Sequence, residues 1–170
     1  NAPYDGCKSD YTNKGFNQLQ YVIDLLKTDK FSRRILMTTY NPIQADEGVL
    51  YPCHGISVQF GIEDDNKLCC IMHQRSADSF LGLPFNISSY SLLVYLICEL
   101  INNDVEYTGT KIIPGKLHMT LGDVHIYDEH IDAVKTQLSR YMSCYEFPTI
   151  KIDKKICKLE DFNTLSSSDI

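Results

Sequence analysis

The residues richest in chemistry sit in four short stretches. "YPCHG", residues 51–55, sets Cys53 between a proline and His54. A thiol becomes a nucleophile when a nearby cation raises its thiolate fraction; without one it packs as a small, inert hydrophobe. His54 does not decide between the two, because neighbours on an extended chain face opposite ways. "HQRSADSF" gathers Gln74, Arg75, Ser76 and Asp78 within five positions at the end of an apolar run. A guanidinium beside a hydroxyl suits an anion such as phosphate or carboxylate. "FSRR" adds Arg33 and Arg34 just before another apolar run. Taken singly, arginines at strand ends are more often solvated surface charge. "GDVHIY" puts His125 and Tyr127 two apart, so on a strand both face one way and can hydrogen-bond a hydroxyl or diol. The five histidines share no ligand spacing and no C-x-x-C occurs, so no metal site is expected.

These residues need elements to hold them. From Gly15, the positions Phe16, Leu19, Val22, Ile23 and Leu26 recur at helical spacing and predict an amphipathic helix over 15–28. "RRILMTTY" reads as a short strand ending near Asn41 and Pro42. "GISVQFGI" and "KLCCIMHQ" are apolar strands joined by "EDDN", a hairpin signal. "LPFNISSYSLLVYLICELI" is apolar on nearly every side from Ile87 to Ile101, which predicts a helix buried in the middle of the domain with Asn86 or Ser88 near its start. A loop containing Gly109, Pro114 and Gly115 should lead to a strand at "KLHMTLGDVHIY". A helix at "DEHIDAVKTQLSRY" and a last strand at "EFPTIKI" complete the reading. Hairpins mixed with helices point to an α+β fold rather than a doubly wound parallel sheet.

The 170 residues, 44% hydrophobic and 22% charged, suit one domain over 1–170. A net charge of −6 argues against a general affinity for nucleic acid or an anionic membrane. No apolar run is expected to reach the roughly 18 residues of a membrane span. The start, "NAPYDGCKSD", has no apolar core of an export signal. Seven cysteines, an odd number without paired spacing, fit a reduced, cytoplasmic protein.

In this order and at these intervals, "YPCH" before a strand, "QRSADSFLGLPFN" and "GDVHIY" resemble thymidylate synthase, from about Asp10 through "EDF" at residues 160–162. The resemblance implies a mixed sheet packed on a long buried central helix, with one sheet face forming a homodimer interface. It implies reductive methylation of dUMP to dTMP with 5,10-methylenetetrahydrofolate as co-substrate and no metal. Cys53 would be the nucleophile that adds to carbon 6 of the uracil ring. Arg75 and Ser76 match phosphate ligands, while Arg33 and Arg34 match a pair reaching the partner subunit's nucleotide. Asn86 matches the amide that reads the uracil edge; relatives acting on dCMP usually carry aspartate there. His125 and Tyr127 match ligands of the ribose 3′-hydroxyl. Asp78 matches a carboxylate on the folate pterin, and Gly82 a point where backbone nears ligand. His54, Gln74 and Ser89 match residues lining or ordering the pocket. The resemblance also brings a fused or separate N-terminal segment, or a dihydrofolate reductase domain, into view as partners. Two alternatives stand beside it: a fragment or degenerate dUMP-binding or structural module without turnover, and a pyrimidine nucleotide hydroxymethylase.

Overall fold

The computed structural model describes residues 15–40, 56–143 and 145–170. Cys53 and His54 lie outside the described residues, as do Asn41 and Pro42.

The first helix, α1, spans Gln18–Thr28 and buries Val22, Ile23 and Leu26, the stripe that the spacing predicts. The Asn17 side chain accepts a hydrogen bond from the Gln20 backbone N–H and closes its first turn. Strand β1, Leu36–Thr38, follows and pairs antiparallel with β2, Ser57–Glu63. The Gln18 amide lies against β1, donating to the Thr38 carbonyl at 2.8 Å and accepting from its N–H at 2.7 Å. It thereby satisfies backbone groups that an edge strand would leave open.

The hairpin between β2 and β3, Lys67–Asp78, is where "EDDN" places it. Asp65 and Asn66 take φ of 62° and 56° in the turn, a left-handed conformation that Asp and Asn tolerate better than most residues. A long helix, α2, Gly82–Asn103, then carries the chain back, so that β4, Ile113–His125, runs parallel to β3. The sheet order is β1-β2-β3-β4, with two antiparallel pairs and one parallel pair. Mixed pairing of this kind agrees with the α+β expectation.

Residues at alternate positions of β2 and β3 (Val58, Phe60, Leu68, Cys70, Met72) face α1 and α2 and form the core with Val94, Ile97 and Ile101. Burial raises the Cys70 and Cys98 thiols to about 12, Cys70 further through the neighbouring Cys69 and Cys98 through Glu99. Both are therefore inert packing groups.

Four expectations need correction. Helix α2 begins at Gly82, well before Ile87, and its buried residues run from Val94 to Ile101 while Phe85 and Ile87 stay exposed. It is thus buried along its second half only. Its 22 residues are also long and apolar enough to cross a membrane by length and composition; the buried half packs in the core on the sheet. The loop expected around Pro114 and Gly115 is instead the start of β4. Register shifts between Leu68 and Cys70, a β-bulge that accommodates both residues. A Cβ on Gly115 would stand 2.7 Å from Cys69 Sγ, so glycine permits the close approach. Finally, "EFPTIKI" forms no strand. Its Phe147 is 92% exposed and none of its residues is fully buried, so no buried face rewards extended pairing there.

Candidate active site

The C-terminal end of β3, the first turns of α2 and the end of β4 converge, because β3, α2 and β4 form one crossover unit. Asp78 pairs with His125 across the parallel strands, and Ser76 with Asp123. Ser79 N–H donates to the His125 carbonyl at 2.9 Å, which locks the exit of β3 to the exit of β4. Ligands in open sheets with parallel strands gather at this carboxyl end of the strands.

Asp78 sits at the start of α2. Its Oδ1 accepts from Phe80 N–H at 3.1 Å, and its Oδ2 from Leu81 and Gly82 N–H at 3.3 and 3.1 Å. Desolvation pushes its carboxyl pKa up, but these three backbone donors, helped by His130, hold it below the ordinary aspartate value. It is therefore a carboxylate at neutral pH, on the positive end of a helix. Gly82, placed by resemblance beside a ligand, would with a Cβ make only ordinary contact with Asp78 at 3.4 Å.

Alternation along β3 separates the polar block. Gln74, Ser76 and Asp78 share the face toward α2, whereas Arg75 is exposed on the other. Gln74 is 1% exposed. Its Nε2 donates to the Ser76 carbonyl and to Asn86 Oδ1, both at 2.9 Å. Asn86 is half-buried one turn into α2, and Ser89, one turn further, is exposed. Gln74 therefore reaches Asn86 rather than an open surface.

At the end of β4, His125 Nδ1 lies 3.3 Å from the Asp123 carbonyl oxygen. The His125 and Tyr127 rings meet edge to face at 5.0 Å, as expected for residues two apart on extended chain. His130, which the spacing of the histidines does not single out, also belongs to this cluster. Its ring lies 5.2 Å from that of Phe80 at a tilt of 42° and meets Tyr127 edge to face at 5.9 Å, so it packs against Tyr127. The signal was its place just ahead of α3, Ile131–Ser139, where the chain turns back on the β4 exit.

Arg33 and Arg34 are not part of this cluster. Both are exposed ahead of β1. Leu36 pairs with Gln59, and Gln59 with Ile71, so the chain before Leu36 points toward the start of β3, away from Gln74–Asp78.

Comparison with known proteins gives these residues a family setting. The family model described as thymidylate synthase matches residues 4–170. The chain is 41% identical over 168 residues to thymidylate synthase of Saccharomyces cerevisiae, covering 95% of this chain and 52% of that protein. It is 42% identical over 161 residues to thymidylate synthase of varicella-zoster virus, covering 95% and 49%. A bifunctional dihydrofolate reductase-thymidylate synthase of Plasmodium chabaudi is 40% identical over 161 residues, covering 95% of this chain and 25% of that protein. The chain spans about half, or less, of the length of these relatives.

Proposed function

The chain belongs to the thymidylate synthase family, and from that premise we propose that it supplies the nucleotide site of an enzyme methylating dUMP to dTMP. The observation that carries the reading is the convergence of Ser76, Asp78, Asn86, His125 and Tyr127 at one end of the β3-α2-β4 unit.

Each group has work suited to its chemistry. Cys53, as thiolate, adds to carbon 6 of the uracil ring, which breaks the ring's conjugation and makes carbon 5 a nucleophile. Asn86 holds the pyrimidine edge by its amide and Ser76 the 5′-phosphate; Arg75, exposed on the opposite face of β3, would join Ser76 on that phosphate only through the reach of its long side chain. His125 and Tyr127 hydrogen-bond the ribose hydroxyl. The bound 5,10-methylenetetrahydrofolate supplies the one-carbon unit and the reducing hydride. Asp78 would hold its ring, with Gly82 beside it: the carboxylate keeps acceptor capacity beyond its three backbone bonds, and exposed Leu81 and Phe85 offer apolar surface next to it.

A homodimer belongs to the same reading. The outward sheet face carries Leu36, Ile71 and Val124, each about half exposed, and a two-fold axis would use that patch twice. Arg33 and Arg34, aimed away from their own site, would then meet the phosphate of the partner's nucleotide.

The test is covalent capture. With 5-fluoro-dUMP and 5,10-methylenetetrahydrofolate, the intact protein should form an adduct whose mass maps to the peptide containing Cys53. Binding of dUMP with no adduct and no release of the carbon-5 proton would instead support a nucleotide-binding module without turnover.

A further inference from the structure

We propose that His73 and His118 make the pairing of two copies of this chain pH-sensitive, so that the dimer holds at neutral pH and parts in mild acid. The inference rests on the homodimer reading given above and concerns how that contact is regulated.

Strand alternation decides which residues the contact covers. On β3, Ile71, His73 and Arg75 point away from the core; on β4, Lys116, His118, Thr120 and Val124 do so. His118 stands directly beside Ile71, and His73 lies between Ser57 of β2 and Thr120 of β4. Both histidines therefore sit inside the patch that Leu36, Ile71 and Val124 make apolar. In a single copy both are exposed to solvent, where a proton is taken up at little cost.

The charge around them is already uneven. Among the described residues, His118 faces Glu63 of β2, whose carboxylate is 3.9 Å from His118 Nε2 and also 3.9 Å from Lys116 Nζ. One carboxylate shared at that distance between exposed partners holds neither firmly. Arg75, two residues beyond His73 on the same side of β3, adds a second cation. Lys67 is paired with Asp65 in the hairpin at 3.3 Å. Desolvation pushes the neighbouring Cys69 thiol up, so it adds no charge. With neutral histidines the face thus sets two cations, Lys116 and Arg75, against the single anion Glu63.

Symmetry turns this imbalance into a switch. A two-fold axis lays the patch on its own copy, so the excess of positive charge meets itself. Neutral imidazole rings pack beside Ile71 without adding to it. Protonated, they bring two more cations per copy into a contact that excludes water, where like charges repel most strongly. Separated copies keep the same charges in solvent. Protons therefore bind more readily to the separated copies, and lowering the pH favours separation. Histidine is the side chain whose ordinary charge change falls between pH 5 and 8, so mild acid suffices.

Sedimentation equilibrium of the intact, nucleotide-free protein at fixed ionic strength tests this. Between about pH 7.5 and about pH 5.5, a window that spans the ordinary histidine value and stays above that of carboxylates, the dimer dissociation constant should rise about tenfold or more. The double variant His73→Gln, His118→Gln stays neutral at both pH values, and its dissociation constant should be nearly the same at each. A wild-type dimer equally tight at both pH values overturns the inference, as does one that tightens in acid, which would place Glu63 against the partner's histidines. An acid response that survives in the double variant also overturns it, since a general loosening of the fold would act on both proteins alike. Should the double variant not assemble at neutral pH, the single variants decide: each should show a smaller acid response than wild type, and two undiminished responses refute the inference. Wild-type protein that is monomeric at neutral pH would defeat the dimer reading itself, a failure distinct from a dimer indifferent to pH.

Discussion

Helices α2 and α3 lie on either side of β4 in the chain, and they have opposite fates. Both carry apolar residues at spacings that a sequence reading takes for a core-facing stripe. In α2, Val94, Ile97, Leu100 and Ile101 are buried against the sheet. In α3 no residue is buried, and Leu138 is 66% exposed. An apolar stripe therefore states what a helix can cover, and the sheet decides what it does cover. Helix α2 has its ends tied to the sheet on both sides. Asp78 caps its start, and the Asn102 amide bonds both backbone groups of Ile112 at its end, at 2.7 and 2.9 Å. Helix α3 has local support, such as the Lys135–Asp132 ion pair at 3.1 Å and the Thr136 hydroxyl on the Asp132 carbonyl. Such exposed pairs contribute little.

The sharpest way to break this contrast is to remove bulk from α2. Ile97 is fully buried, so Ile97→Ala should cost about 2–5 kcal/mol in urea denaturation, from lost burial plus the cavity left behind. A cost below about 1 kcal/mol would mean that α2 is not the packed element the contrast requires.

Gly122→Ala probes the joint between the sheet and the site. A Cβ there would run into the Arg75 carbonyl oxygen, and a β3–β4 ladder has little room to yield. We expect a loss of about 1–3 kcal/mol, as for other overpacked sites. Nucleotide binding should weaken as well, since the chain just beyond Arg75 carries Ser76 and Asp78. An alanine variant of unchanged stability would show that the strands part easily at this point.

How much of this was legible in the sequence depends on how locally each feature is determined. Helix α1 and the β2–β3 hairpin were legible, because helical spacing and "EDDN" are local signals. The early start of β4 was not, since Pro114 and Gly115 read as a loop until a parallel partner and a bulge accommodate them. "EFPTIKI" failed for the converse reason: a strand pattern without a partner. The resemblance groups Arg75, Asp78, Asn86, His125 and Tyr127; the fold brings Asp78, Asn86, His125 and Tyr127 to one end of the β3-α2-β4 unit and sets Arg75 on the opposite face of β3. Two facts needed the fold. Asp78 is a helix cap whatever else it does, and Gln74, polar by type, sits at an inward position of β3 and faces Asn86. Side-chain alternation was readable, but which face would be buried was not.

A smaller effect than either core change is expected at that cap. Asp78→Ala removes the acceptor for three backbone N–H groups at the start of α2, and should lower the melting temperature modestly at neutral pH. The pH dependence follows from the depressed carboxyl. A group whose pKa is lower in the folded state stabilises fully above its unfolded value and loses that contribution as pH falls through the folded one. The gap between wild type and variant should therefore hold from neutral pH down to roughly pH 4 and close below it. A gap that widens in acid would contradict the assignment of Asp78 as an ionised cap.

The smallest change should come from α3, where it tests the contrast most directly. Leu138 is the same kind of residue, on the same kind of stripe, as those buried in α2, so Leu138→Ala isolates the effect of a missing partner. With the side chain two-thirds exposed, the substitution removes little buried area and creates no cavity. Alanine also favours helix slightly more than leucine does. The two effects nearly cancel, and the change in urea denaturation should stay within about 0.5 kcal/mol. A loss above about 1 kcal/mol would mean that something covers Leu138 in solution. Helix α3 would then be a core helix like α2, and the two would differ only in what packs against them.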